Sequence, residues 1–210
     1  MFAASAALAC NPTFPRRPAR LLRTRIVSGA QPSLPTRVWE SYTGALERRP
    51  LLTKMATSLI CTSVGDAAAQ AIGAAPFSVV RLLQLASFSA LAGAPASHAW
   101  NVWLDASVYP DAPTTAKAIV SKMVATNLTL GPAMTVLFLA FVRIVVDRNP
   151  TDVVRFVSER LLPIMRAGCK VDIPLCIVAY RFVPCDLRAI LYGVVGIFWT
   201  VFVNIMVVNR

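Results

Sequence analysis

The sequence predicts an all-α membrane protein, a bundle of about four transmembrane helices with interfacial amphipathic helices. Hydrophobic residues make up 56% of the 210-residue chain and charged residues only 15%, whereas charged residues are about 25% of ordinary soluble domains. Four charge-poor stretches each approach or exceed the roughly 20 residues that a helix needs to cross the hydrocarbon core. Backbone polar groups in lipid must be satisfied within the spanning structure, which favours helices here.

Residues 1–38 have the composition of a targeting segment. They carry six arginines and five prolines, and no acidic residue precedes Glu40. Because Arg-rich, acid-poor leaders are typical of organelle import, we expect this segment to be disordered or cleaved and residues 39–210 to form the four-span membrane domain. The predicted location is the mitochondrial inner membrane, with a plastid or peroxisomal membrane as the alternatives.

A short amphipathic helix on the membrane surface is predicted next. Trp39, Tyr42 and Leu46 recur at helical spacing with charged residues between them, and aromatic residues favour the level of the lipid headgroups. Pro50 then begins the first span. The four predicted spans are residues 55–80, 82–104, 123–142 and 189–208.

The chain between the third and fourth spans differs from the spans. Nine charged residues lie among apolar ones from Asp147 to Asp172, which is typical of an interfacial amphipathic helix. Ile173–Pro184 is apolar but too short to span. It is interpreted as a re-entrant turn or as a helix packed against the bundle.

Asp66 is the only charged residue within 55–80. A carboxylate at the centre of a membrane helix costs about 2.5–3.5 kcal/mol on insertion scales, so Asp66 is expected to face the bundle interior or a water-filled cavity. Gln70 follows at i+4 and shares its helix face. Two interpretations stay open: a packing face with one tolerated polar pair, or a polar face that lines a pore or binds a partner helix.

The second span adds further candidates for a polar interior. Ser97 and Asn101 are i, i+4 neighbours, and His98 is adjacent to Ser97. A hydrogen bond from His98 to a neighbouring helix is favoured over a role as proton acceptor. Pro95 is predicted to kink the helix, because it removes one backbone hydrogen bond.

The third span contributes Asn127 to the polar candidates, and Pro132 predicts a second kink. Lys122 lies at the end of this span. We expect its ammonium group to snorkel to the interface; the alternative is that it bends inward toward Asp66.

No catalytic, cofactor-binding or metal-binding set can be assembled. The chain has a single histidine, five cysteines without a CxxC pair, and no Gly-rich phosphate loop. Nucleophilic, acid–base and metal-assisted catalysis each need groups that this inventory does not supply at useful spacing. The sequence therefore predicts no enzyme, no cofactor and no nucleic-acid partner.

Taken in order, these residues resemble the family of the Mpv-seventeen protein and the twenty-two-kilodalton peroxisomal membrane protein. The resemblance covers roughly residues 39–205. It is carried by Trp39, Tyr42, Leu46 and Pro50; by Gly65, Asp66 and Gln70; by Arg81, Pro95, His98, Trp100 and Leu104; by Lys122 and Pro132; and by Val183, Pro184, Arg188 and Trp199. The family's acid–amide pair of the third span is Thr126-Asn127 in this chain.

The resemblance implies a small organellar membrane protein similar to weakly selective channels for small solutes and linked to organelle homeostasis. Asp66, Gln70, His98, Asn101 and Asn127 would then line a pore or polar interior. The expected partners are the lipid bilayer, small solutes and a second copy of the chain. The alternative function is a non-conducting structural or assembly membrane protein.

Overall fold

The computed structural model describes residues 34–73, 76–111, 115–182 and 185–207. For residues 34–36, 39, 176–177, 179–182 and 185–193 only the backbone is described. The described residues form an all-helical protein without strands. Its six helices are α1 Leu34–Arg48, α2 Pro50–Ile72, α3 Val79–Ser107, α4 Ala116–Val146, α5 Val153–Phe182 and α6 Cys185–Val207.

The first helix, α1, is the amphipathic helix that the spacing of Trp39, Tyr42 and Leu46 predicts. It ends at Arg48, and Pro50 occupies the first turn of α2, where a proline costs no hydrogen bond. The side chain of Trp39 lies outside the described residues, and so do residues 1–33 of the predicted targeting segment.

The first predicted span is too long at its C-terminal end. α2 ends at Ile72, and Gly73 leaves the helix with an extended backbone (ψ 157°). α3 begins at Val79, where the Ser78 hydroxyl accepts a hydrogen bond from the backbone N–H of Arg81 (3.3 Å). Pro76 lacks an N–H and Ser78 is a good N-cap, so these two residues separate the helices within an uncharged stretch.

Both long apolar helices are distorted on the N-terminal side of a proline. In α3 a π-helical turn at Ser89–Gly93 precedes Pro95. In α4 the helix is interrupted at Thr129 (φ −120°, ψ −75°), three residues before Pro132. A proline donates no hydrogen bond and its ring crowds the carbonyl four residues earlier, which accounts for the position of both distortions.

α5 differs from the sequence prediction for this region. Asp147–Asp172 was expected to be an interfacial helix followed by a separate apolar segment, but one helix runs from Val153 to Phe182 with Pro163 and Pro174 inside it. The re-entrant turn is therefore wrong, and the alternative of a packed helix describes the backbone. Residues at intervals of four or eight, Phe156, Ile164, Gly168 and Asp172, form its buried stripe.

Side-chain contacts fix the direction of the first three helices of the bundle. α3 runs antiparallel to α2, and α4 runs antiparallel to α3. The contacts are Lys54–His98 and Asp66–Arg81 for the first pair, and Trp100–Thr126 and Phe88–Phe138 for the second. We call the end of the bundle at which α2 begins face A, and the opposite end face B.

α5 returns the chain from face B to face A. Thr135 of α4 contacts the Met165 sulfur, and Arg143, further along α4, lies against Phe156 near the start of α5. α6 then runs parallel to α2, because Thr200 lies against Gly65 and Asn204 bonds to Asp66. The helices α2 to α6 thus form a closed ring.

Two of the described helices, α3 and α4, are long and apolar enough to cross a membrane. Only 22% of the apolar window of each is buried inside the protein, and large side chains such as Leu91, Leu128 and Leu137 are exposed. Most of the apolar surface therefore faces outward, as expected for helices in contact with lipid rather than for the core of a soluble protein.

Because α2 and α6 run parallel, the start of α2 lies at face A and the end of α6 lies at face B. We therefore predict that these two points of the chain lie on opposite sides of the membrane. A four-span chain with an interfacial α5 would place them on the same side, whereas α5 as a return helix adds one crossing. Tags next to Leu34 and next to Val207 should show opposite protease protection in sealed organelles. Equal protection of both tags would contradict the return path.

Candidate functional site

Asp66 is the centre of a buried polar cluster at the face B end of α2. Its carboxylate is fully buried. Oδ1 accepts hydrogen bonds from Arg81 Nη2 (2.9 Å) and Nε (3.2 Å) and from Asn204 Nδ2 (3.1 Å). Oδ2 accepts a hydrogen bond from Gln70 Nε2 (2.7 Å). We call Asp66, Gln70, Ser78, Arg81 and Asn204 the Asp66 cluster.

Gln70 extends the Asp66 cluster into the connection between α2 and α3. Its Oε1 accepts a hydrogen bond from the Ser78 backbone N–H (2.6 Å), and its Nε2 donates to the Ser78 carbonyl (3.1 Å). The i+4 spacing from Asp66 explains why both side chains reach the same place. The cluster therefore joins α2, the start of α3 and the end of α6.

Sequence reasoning missed three members of the Asp66 cluster. Ser78 and Asn204 were not singled out, and Arg81 was named only as the boundary of the second span and as a residue of the family resemblance. A buried carboxylate is strongly destabilising without a partner, so the first arginine after Asp66 was the available signal. Nothing local in the sequence connects Asn204 with a residue 138 positions earlier.

The closest approach of α2 and α6 depends on Gly65. A Cβ atom built at this glycine would lie 2.7 Å from both Cβ and Cγ2 of Thr200 and 3.4 Å from the Ile197 carbonyl oxygen. Small residues allow two membrane helices to approach at backbone distance. Gly65 thereby brings Asn204 within reach of Asp66.

A second set of buried polar groups lies toward face A, between α3 and α4. Lys122 is 2% exposed, and its Nζ lies 2.7 Å from Asp105 Oδ1. The expectation that Lys122 snorkels to the interface is therefore wrong, and so is the alternative of a contact with Asp66. Asp105, 22% exposed, supplies a carboxylate close enough to hold the ammonium inside the bundle.

The predicted residues of the second span lie in the same region. His98 Nδ1 is 3.2 Å from Lys54 Nζ of α2, which is a contact to a neighbouring helix. Asn101 is 3% exposed; its Nδ2 donates to the Ser97 carbonyl (2.6 Å), and its Oδ1 is buried without a hydrogen-bond partner.

Thr126 of α4 joins this region through Trp100, and Asp172 lies on α5 beyond Met165, in the half of that helix nearer face A. The Thr126 hydroxyl accepts a hydrogen bond from Trp100 Nε1 (3.0 Å). Asp172 is 2% exposed, and its Oδ1 has no hydrogen-bond partner. We call the set the polar half of the interior: Lys54, Ser97, His98, Asn101, Asp105, Lys122, Thr126 and Asp172.

Asn127 does not join the polar half through a contact between helices. It is half-buried, and its Nδ2 donates to the Met123 carbonyl of its own helix (3.1 Å). The five predicted interior residues are thus divided among Asp66 and Gln70 near face B, His98 and Asn101 toward face A, and Asn127 on α4.

Toward face B the interior of the ring is filled by apolar side chains. We call this cluster the apolar plug; it consists of Leu85 from α3, Leu139 and Val142 from α4, Phe156 and Ile164 from α5, and Val203 and Val207 from α6. Each of these residues is between 0% and 8% exposed. The plug lies between the polar half and face B.

Of the remaining signature residues, Tyr42 contacts a neighbouring helix, and Trp100 and Trp199 each also contact an aromatic ring of their own helix. The Tyr42 hydroxyl accepts a hydrogen bond from Thr57 Oγ1 (3.4 Å), Trp100 stacks on Trp103 at 5.0 Å, and Trp199 contacts Phe202 at 5.4 Å. Pro184 and the side chain of Arg188 lie outside the described residues.

Two matches with known proteins bear on the identity of this chain. Residues 143–204 match the model of the Mpv17 / PMP22 family. The chain is 26% identical over 168 residues to the peroxisomal membrane protein PMP22 of Arabidopsis thaliana, an alignment that covers 79% of this chain and 87% of the relative. No solved structure gives a significant match. The two matches confirm the resemblance to this family of membrane proteins.

The Asp66–Arg81 ion pair predicts that the loss of stability caused by Arg81→Gln depends on whether Asp66 is also replaced. Arg81→Gln leaves the buried carboxylate without its cation, which costs about 3–5 kcal/mol for a buried pair. The double variant Asp66→Asn/Arg81→Gln removes both charges, so it should unfold at a higher temperature than Arg81→Gln alone. Thermal unfolding of the detergent-solubilised protein, followed by tryptophan fluorescence, measures this difference.

Arg155→Gln is the matched control for this experiment, because Arg155 is 81% exposed and, among the described residues, forms an ion pair only with Glu159. Its unfolding temperature should stay within the change expected of a surface substitution, about 0.5 kcal/mol. A double variant no more stable than Arg81→Gln would show that the ion pair is not what Arg81 contributes.

Gly65→Ala should be destabilising, because its new methyl group meets Thr200 at a distance that real Cβ contacts do not adopt. Overpacking of this kind costs about 1–3 kcal/mol. Gly44→Ala is the control: nothing lies within 4 Å of its added Cβ, so the better helix propensity of alanine should leave stability equal or higher. Equal unfolding temperatures for both variants would contradict the tight crossing.

Proposed function

We propose, starting from the resemblance to the Mpv17 / PMP22 family, that this protein is an integral organellar membrane protein that forms a weakly selective, channel-like pore for small solutes. The observation that carries the proposal is the division of the interior into a polar half that begins at face A and an apolar plug toward face B. This arrangement fits a pore in its closed conformation. The proposal involves no catalytic step and no cofactor.

The polar half supports a path for water and small solutes. Charged groups within membrane helices are expensive and commonly face a bundle interior or an aqueous cavity. Asn101 Oδ1 and Asp172 Oδ1 are buried without hydrogen-bond partners, and polar sites of this kind are where proteins hold internal water. Asp105 is partly exposed and would form the entrance at face A.

The apolar plug supports a closed gate. Hydrophobic constrictions interrupt conduction because water leaves a narrow apolar passage. Leu139 and Val142 are both 0% exposed and come from α4, whose interruption at Thr129 offers a position at which the helix can bend. Opening would then separate plug residues on α4 from those on α5 and α6.

We further propose that the four predicted spans correspond to α2, α3, α4 and α6, and that α5 crosses the membrane beside them as it returns the chain from face B to face A. α3 and α4 meet the length and hydropathy criteria directly. α2 and α6 extend beside them over 23 residues each, which is enough to cross the hydrocarbon core. α5 carries more charge and packs against α4 and α6.

The compartment is proposed on separate grounds. The Arabidopsis relative is named as a peroxisomal membrane protein, which supports the peroxisomal membrane, one of the two alternatives from the sequence. The mitochondrial inner membrane rests only on the arginine-rich composition of residues 1–38. We therefore favour the peroxisomal membrane.

A non-conducting structural or assembly protein is the second candidate. The specific observation in its favour is the Asp66 cluster, where both carboxylate oxygens are engaged by Gln70, Arg81 and Asn204. Asp66 would then hold three helices together and line no pore. Homo-oligomer formation is compatible with either candidate and stays a prediction.

Leu139→Ser is predicted to open the proposed pore, because a hydroxyl group in the plug admits water to the narrow passage. In planar bilayers the variant should leak more current than the wild type at the same protein density. Leu137→Ser is the matched control: Leu137 is 48% exposed on the same helix and outside the plug, so its current should equal that of the wild type.

An absence of current in wild type and Leu139→Ser, with both proteins folded by size-exclusion chromatography, would contradict the pore and favour the structural protein. Equal leak from Leu137→Ser and Leu139→Ser would show that the plug is not the barrier.

Peroxisomal targeting predicts that the fluorescently tagged full chain colocalises with a peroxisomal membrane marker. A chain that begins at residue 39 should do the same, since the proposed location does not rest on residues 1–38. Import into mitochondria or plastids of a reporter fused to residues 1–38 would contradict this location.

A further inference from the structure

A small pocket lies toward face B between the first half of α5 and the end of α6. Its volume is about 110 Å³. The lining combines charged and apolar side chains: Glu159, Arg160, Pro163, Ile164, Met206 and Val207. None of these residues belongs to the polar half of the interior, and two of them, Ile164 and Val207, also belong to the apolar plug.

Arg160 is the cation of this pocket. Its guanidinium carbon lies 3.9 Å from the centre of the Phe156 ring, and its Nε is buried without a hydrogen-bond partner. Among the described residues, no carboxylate lies within ion-pair distance of Arg160. Stacking on the ring holds the planar guanidinium in place while leaving its N–H groups available to a ligand.

The neighbouring charges leave Arg160 available for an anion. Glu159 Oε1 is engaged by Arg155 Nε at 2.8 Å. Arg143 lies against the same Phe156 ring at 5.2 Å, so its positive charge is close to that of Arg160. Its own partners Asp147 and Asp152 are at 3.4 Å and 3.8 Å, and its Nε has no hydrogen-bond partner.

The position of the pocket corresponds to the level of the lipid headgroups. α4 is apolar up to Arg143, and charged residues follow from there to the first turns of α5. Lys and Arg at the end of an apolar helix lie where headgroups are. The pocket therefore presents one arginine at this level beside the apolar side chains of Ile164, Met206 and Val207.

We propose that this pocket binds the phosphate headgroup of an anionic membrane lipid, with Arg160 as the phosphate ligand and the apolar lining in contact with the glycerol and the first part of an acyl chain. Arginine forms paired hydrogen bonds with phosphate oxygens, and basic pockets between membrane helices are suited to anionic headgroups. A soluble phosphate ion would bind the arginine but would make no contact with the apolar lining.

The test compares lipid retention by full-length variants. Delipidated protein in detergent is incubated with phosphatidylglycerol or phosphatidylcholine, and bound lipid is counted by native mass spectrometry. Arg160→Gln should lower the affinity for phosphatidylglycerol about tenfold or more, the value of one charge-assisted hydrogen bond. Arg166→Gln is the matched control: it removes the same charge from an exposed side chain of α5 that does not line the pocket, and it should leave the affinity unchanged.

A second variant tests the pocket independently, because unfolding of Arg160→Gln would also lower lipid binding. Met206→Trp keeps every charge and fills the pocket, so it should also reduce retention of phosphatidylglycerol while phosphatidylcholine binding stays at the wild-type level. Equal losses in Arg166→Gln and Arg160→Gln, or full retention by Met206→Trp, would overturn the proposal.

Competition with inorganic phosphate tests whether the pocket binds the phosphate of a lipid headgroup or a free phosphate ion. Phosphate at millimolar concentration should leave the Arg160-dependent lipid bound, because it lacks the apolar contacts. Complete displacement would assign the pocket to a soluble anion and overturn the lipid proposal. Because these measurements involve no current, their outcome is independent of the proposed pore.

Discussion

The structure depends on one buried carboxylate. Asp66 cannot remain charged and unpaired inside an apolar bundle, and its two oxygens accept hydrogen bonds from three other residues: Gln70, Arg81 and Asn204. Arg81 fixes the start of α3 beside the end of α2. Asn204 requires α6 to lie parallel to α2, and this direction is reached only because α5 carries the chain back across the bundle. The closed ring follows from satisfying Asp66.

The ring gives the interior two different ends. Toward face A, buried polar groups from α2 to α5 face each other with part of their hydrogen-bonding capacity unused, as at Asn101 and Asp172. Toward face B, aliphatic and aromatic side chains close the same space at full burial. In the proposed pore, the polar end would be the vestibule and the apolar end the barrier, with Asp66 beside the barrier as a support for the helices.

The sequence predicted the features that depend on local spacing. The helical class, the amphipathic helix around Tyr42, the shared face of Asp66 and Gln70 and the two proline distortions all follow from neighbours within about one or two turns. The partners Arg81 and Asn204, the inward position of Lys122 and the return path of α5 were missed. Each depends on which helices become neighbours, and periodicity within one helix carries no information about this. For Lys122, the position at the end of a span favoured the interface, whereas Asp105 on another helix decides the outcome.

The order of the contacts also has a consequence for how the chain enters the membrane. Arg81 follows Asp66 by 15 residues, whereas Asn204 follows it by 138. The acid and its cation therefore arrive together as one helical hairpin, which removes most of the penalty for placing Asp66 in lipid before the rest of the chain is synthesised. Asn204 becomes available only when α6 emerges. We expect α2 and α3 to insert as a pair and the Gly65–Thr200 crossing to close the ring last, so that the final helix converts a stable hairpin into a finished bundle.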